Sequence, residues 1–169
     1  MSNFSLPRTA GRAGLAATAA AFLALGLAAP AAADEVETYE GSLEGRYTGN
    51  AENGPNVHMN GEEVRPSLFN LELTDGSVLT TYCIDFRTQI VGGAEYKEDD
   101  WANYPGEGSF AQPGKVLWIL QNSYPRTDAA ALGEAAGVEG LSNGDALAAT
   151  QAAIWHFSND LDLSEGNSE

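Results

Sequence analysis

The chain is 169 residues long, with 24 acidic against 8 basic side chains and a formal net charge of −16. That length suits one domain with a sizeable core rather than two. So acidic a surface repels nucleic acid and anionic membranes, and a single cysteine, Cys83, excludes an internal disulfide framework.

Residues 1–33 read as a secretory leader. Arg8 and Arg12 form a sparse positive region, Leu15 to Ala29 a short apolar run, and Pro30-Ala31-Ala32-Ala33 supplies small residues for cleavage before Asp34-Glu35 opens an acidic stretch. The run is too short and alanine-rich, and too broken by Gly14 and Gly26, for a membrane anchor. The expected organisation is a leader over 1–33 and one domain over 34–169. Losing Arg8 and Arg12 makes the exported chain more acidic still and leaves Lys97 and Lys115 as its only lysines.

Residues 34–48, with Val36, Tyr39, Leu43 and Tyr47, alternate loosely as a first strand, and 49–66, rich in Asn and Gly, reads as a loop or a poorly paired hairpin. Residues 68–74 and 77–85 then flank Asp75-Gly76, a two-residue hairpin signal. On the second arm Val78, Thr80, Tyr82, Ile84 and Phe86 share one face, and Leu79, Thr81, Cys83 and Asp85 the other. The first of these faces is the more apolar and is expected to look into the sheet core, which puts Cys83 on the opposite face. The thiol there is an inert filler, a partner for another molecule, or a reactive group.

Beyond Gly92-Gly93 the chain reads as acidic turns as far as Gly108. Pro113 suits the first turn of a helix carrying Val116, Leu117, Ile119 and Leu120, which Pro125 ends. A short alanine-rich helix spans Asp128 to Ala136 and stops at Gly137, and Ser142 with Asp145 forms a capping pair for a last helix running through Phe157. A late return to the sheet is expected beyond residue 160. The acidic run to Glu169 has no natural terminus, so a fragment with closing strands or an anchor further on is expected.

On the last helix Leu147, Gln151, Ile154, Trp155 and Ser158 recur at spacings of three and four, so Gln151 interrupts an otherwise largely apolar stripe. A buried carboxamide left unpaired costs on the order of 1–3 kcal/mol. It therefore needs a partner. That partner is a backbone group, with no chemistry implied, or it is the Cys83 thiol: if strand and helix pack together, sulfur can attack the Gln151 carbonyl, expel ammonia and leave an internal thioester.

Tyr82-Cys83-Ile84-Asp85 and Thr150-Gln151-Ala152-Ala153-Ile154-Trp155-His156-Phe157 resemble the two signature segments of the thioester domains (TQxA-type) of Gram-positive, actinobacterial cell-surface adhesins, and 114–125 resembles the helix that separates them. The resemblance covers about 68–160. It implies an α+β fold, a β-barrel or β-sandwich with an inserted or appended helical subdomain and the thioester at their junction. Cys83 would be the thiol donor and Gln151 the acyl donor, with Tyr82, Asp85, Thr150 and Trp155 positioning or shielding the bond. It further implies a secreted or cell-surface adhesin, anchored to the cell wall, that binds a surface protein or other amine-bearing ligand covalently. The bond would be used once without turnover, with no cofactor or metal, in a monomeric domain whose membrane contact runs only through a C-terminal anchor.

Two other readings compete. Cys83, His156 and Asp85 supply the residue types of a cysteine hydrolase, although His156 lies about 140° around the helix from Gln151. A non-covalent surface module with a buried Cys83 is the other. Glu98-Asp99-Asp100 could attract a cation but lacks an EF-hand spacing and reads by default as a solvated acidic loop.

Overall fold

The computed structural model describes residues 21–24, 43–104 and 110–164. The strands are β1 (Ala21–Ala24), β2 (Glu44–Asn53), β3 (Val57–Met59), β4 (Glu62–Val64), β5 (Ser67–Leu73), β6 (Val78–Thr81) and β7 (Glu95–Asp99). The helices are α1 (Pro113–Asn122), α2 (Ala129–Ala136) and α3 (Asn143–Asn159). Five strands pair antiparallel in the order β1-β7-β2-β5-β6, and β3-β4 form a separate hairpin. The register of β2 against β5 shifts twice, between Tyr47/Gly49 and Asn50/Glu52. Such bulges bend a strand and increase its twist, and the sheet curls into a half-barrel beside a three-helix subdomain. The class is α+β, as expected.

The expected leader lies outside the described residues except for β1, which pairs with β7. Of the expected first strand, 34–42 lie outside them too, and β2 runs on through Asn53 into the predicted loop. The rest of that loop holds the short β3-β4 hairpin, turned by Asn60 and Gly61, both left-handed at φ 49° and 84°. Glu95–Asp99, read as acidic turns, is a strand whose Tyr96 is buried and pairs opposite Gly45. The late return appears as a bridge from Leu163 to Met59, flanked by Asn60 N–H to Asp162 O at 2.8 Å and Ser164 N–H to His58 O at 2.8 Å.

The β5-β6 hairpin forms, but with a longer turn than Asp-Gly suggests. Leu73 N–H donates to Ser77 O and Gly76 N–H to Leu73 O, with Gly76 at φ 83°, so Thr74-Asp75-Gly76 make a three-residue loop. Leu71 therefore faces Leu79, and Phe69 faces Thr81. The expected facing is overturned: Val78 and Thr80 are exposed, while Leu79 and Thr81 are half-buried. One extra turn residue shifts the pairing and so reverses the buried side.

Helix α3 is the centre of the core. Ile154 packs with Ile84, Val116 and Ile119; Ala148, Ala152 and Trp155 with Val57, Met59 and Leu161; Ala146 and Leu147 with Leu68 and Tyr124. Its small residues permit close approach: a Cβ on Gly54, just after β2, would stand 3.0 Å from Gly144 O and 3.2 Å from Ala148 Cβ. The expected caps are in place. Asp128 accepts from Ala131 N–H at 2.8 Å, Gly137 closes α2 in the left-handed region, and Ser142 Oγ accepts from Asp145 N–H at 3.1 Å. Among the described residues no helix is long and apolar enough to cross a membrane.

Candidate functional site

Strand β6 ends at Thr81, so Cys83 lies on an irregular segment rather than on a strand face. The backbone of that segment finds its partners on α3. Gln151, fully buried on the helix, donates from Nε2 to Cys83 O at 2.7 Å and accepts from Cys83 N–H at its Oε1 at 3.0 Å. Roughly two turns along the same helix, Asn159 repeats the pattern. Its Nδ2 donates to Ile84 O at 2.8 Å and its Oδ1 accepts from Phe86 N–H at 3.1 Å. Two side-chain amides thus stand in for the neighbouring strand that 83–86 lacks, satisfying main-chain groups that burial would otherwise leave costly.

Asp85 turns the segment back. Its carboxylate accepts from Arg87 N–H at 2.9 Å, Thr88 Oγ1 at 2.8 Å and Tyr104 Oη at 2.9 Å, an Asx-type turn closed from outside by a tyrosine. Burial, and after it the Asp85 carboxylate beside the hydroxyl, push the Tyr104 phenol well above its ordinary range. Tyr82 points the other way and donates to Tyr124 O at 2.9 Å. Thr150 is buried and donates to Ala146 O at 2.7 Å within its own helix, with the Tyr82 phenol as a further neighbour.

The Cys83 thiol donates to Asp85 O at 3.0 Å. Burial, the largest influence, pushes it up to about 11, the Asp85 carboxylate adds to this, and the Asp85 main chain and the Trp155 side chain oppose it. At neutral pH the sulfur is therefore held protonated. A cavity of about 40 Å³ adjoins it, lined by Tyr82, Asp85, Thr88, Tyr96 and Tyr104 among others. That is room for a few water-sized groups, and so for the narrow head of a primary amine. The carbonyl of Gln151 is already polarised by the Cys83 N–H, a donor placed where negative charge would grow on that oxygen.

The structure thus brings Cys83, Gln151, Tyr82, Asp85, Thr150 and Trp155 into one neighbourhood. His156 stands apart: it is exposed, and its Nδ1 faces Asp162 Oδ1 at 2.8 Å and Leu161 O at 3.1 Å. The acidic triplet is not a solvated loop. Glu98 and Asp99 are buried on or beside β7, where Glu98 accepts from Leu43 N–H and Asp99 from Asp100 N–H and Asn103 Nδ2. Among the described residues no three His, Cys, Asp or Glu side chains are grouped to hold a metal ion. Asn159, Thr88 and Tyr104 were not anticipated. Asn159 had a signal, since it continues the stripe of Gln151 and Trp155 at helical spacing; Tyr104 is far in sequence and had none.

Fold and site together define an α+β module organised around one cysteine–glutamine pair at the sheet–helix junction. A family model for a thioester domain matches residues 80–169, more than half of the chain, and the chain belongs to the thioester-domain family. Proteins of this family are single-use reactive modules rather than turnover enzymes, typically secreted or at the cell surface, and their biology implies covalent capture of an amine-bearing partner. Comparisons with curated proteins and with solved structures return no match.

Proposed function

We propose that Cys83 and Gln151 form an internal thioester and that the domain is a surface adhesin module that uses it to capture a lysine on a target protein. The observation that carries this reading is the seating of the Gln151 carboxamide on both main-chain groups of the residue that bears the thiol. In bond formation Sγ adds to the side-chain carbonyl carbon, the C–N bond breaks, and ammonia departs with the thiol proton. In capture a neutral amine adds to the same carbon, the C–S electron pair returns to sulfur, and the proton lost by nitrogen restores the thiol. The product is an amide, so the partner stays attached.

Cys83 N–H would stabilise the oxyanion in both directions. Tyr82 and Thr150 hold one flank of the segment and Asp85 the other, and Trp155 covers the bond against water. The expected leader, cut after Ala33, would export the domain and carry β1 away with it. Placement at the cell surface completes the adhesin reading.

Intact mass spectrometry tests the bond. Fresh native protein should weigh one ammonia less than its sequence, and methylamine should add at Gln151 while freeing the Cys83 thiol. A full unmodified mass would defeat the assignment, and repeated cleavage of a substrate with a permanently free thiol would favour a hydrolase.

A further inference from the structure

The Trp155 indole belongs to the site but does something its packing does not require. The residue is 4% exposed, and its Nε1–H makes no hydrogen bond of ordinary geometry, with the Cys83 sulfur as its near polar neighbour. A buried donor left in this condition is costly and uncommon. Trp155 lies in the apolar cluster against which Cys83 packs, with the Phe86 ring set across it at 5.1 Å and 89°. The Arg87 guanidinium lies over the far ring of that pair, 5.3 Å from the Phe86 centroid, so the indole is held in place from behind.

We propose that the Trp155 indole N–H is the donor that receives the Cys83 sulfur when it leaves as a thiolate. This rests on the thioester reading above. While the sulfur is a thiol it points its proton at Asp85 O, at 3.0 Å, and Thr88 O lies next nearest at 3.8 Å. Those are acceptors, which hold a thiol and repel a thiolate. The titratable groups facing the sulfur are Asp85, Tyr96 and Tyr104; each is neutral or negative, and none offers a positive charge. Expelling sulfur as an anion into this setting needs a donor in the wall. Two groups act on the sulfur in the direction that favours its ionised form, the Asp85 main chain and the Trp155 side chain, and of the two Trp155 is the side chain, the one a substitution can remove. Trp155 is thus a positioning residue in the thioester state and a leaving-group donor during capture.

The test compares the native chain with Trp155→Phe, which keeps an aromatic ring and removes the N–H. A second variant carries 3-benzothienylalanine at position 155, with sulfur in place of Nε1–H, so that loss of packing in the first cannot decide the outcome. Each protein is taken in its free-thiol form: the methylamine-treated product if the thioester is present, or the chain as isolated if it is not. Iodoacetamide alkylation of Cys83 is followed by mass against pH. Loss of the donor should slow alkylation about tenfold near pH 9, as expected for a charge-assisted hydrogen bond, and slow methylamine capture by a similar factor. A purely structural role predicts the opposite sign, because a loosened wall admits water and solvates the thiolate. Unchanged or faster alkylation in both variants, or an unchanged capture rate, overturns the proposal. A native chain of full mass removes the thioester reading, and the alkylation profile then judges the donor by itself.

Discussion

Replacing Gln151 by Ala in a chain that already carries Cys83→Ala isolates the carboxamide from any cross-link. The reference, Cys83→Ala, keeps the main-chain N–H and C=O at position 83 and therefore both bonds to Gln151, at 3.0 and 2.7 Å in the native chain. The double variant leaves both groups without that partner. Each stranded main-chain group costs about 1–3 kcal/mol when fully buried. The segment is only part-buried, so water recovers some of this, and Asn159 still holds Ile84 O and Phe86 N–H. We expect a net loss of about 2–4 kcal/mol. With a urea m-value of about 1–3 kcal/mol per molar, the midpoint falls by about 1–2 M. Equilibrium urea unfolding at neutral pH, with fluorescence and circular dichroism in parallel, reads it directly. Midpoints within about 0.3 M of each other would show that the carboxamide does not hold the segment, and the account of why Gln151 tolerates burial would fail.

Other outcomes follow from the same geometry. A bond between positions 68 residues apart should make freshly prepared native protein about 4 kcal/mol more stable than Cys83→Ala by loop closure, checked by the same urea titration. Tyr82→Phe removes the hydroxyl donating to Tyr124 O and should cost about 1 kcal/mol while leaving ammonia loss by mass intact. Gly54→Ala places a methyl 3.0–3.3 Å from α3 atoms and should lower thermal stability by about 1–3 kcal/mol; a neutral result in a melting scan would contradict the close approach. In the free-thiol chain the thiol is pushed from its ordinary 9.0 up to about 11. The folded state then holds its proton more tightly than the unfolded chain. The associated stability, roughly 2–3 kcal/mol, is complete below about pH 9 and disappears as pH rises through about 11. Alkaline urea titrations should show this decline relative to Cys83→Ala; parallel curves would refute it.

The helices could be read from sequence because their signals are local. Pro113, Asp128, Gly137 and Ser142 mark ends that depend on a few neighbouring residues. The buried stripe of α3 was equally legible, since Leu147, Gln151, Ile154, Trp155 and Ser158 are all buried. The sheet was less so. Strand β7 is acidic, and its pairing with β2 depends on residues some fifty positions away, as at Gly45 and Tyr96. The turn at Thr74-Asp75-Gly76 shows how little separates two registers: one more loop residue exchanged the inner and outer faces of β6. The placement of Cys83 opposite the helix was anticipated for a reason that does not hold. Alternation assigned it to a strand face, whereas the strand stops two residues earlier and the side chains of α3 set its position. The Asp85–Tyr104 contact had no local sequence signal at all.

The segment that holds Cys83 owes its shape to a helix that is synthesised later in the chain. Gln151 and Asn159 fix residues 83–86 only once α3 has formed and docked against the curled sheet. Sulfur and carboxamide are not brought together in an unfolded chain, where neither amide has its main-chain partner. A bond drawn between them is therefore a record of completed folding. For the proposed thioester, that order of assembly means the electrophile exists only once the domain has folded.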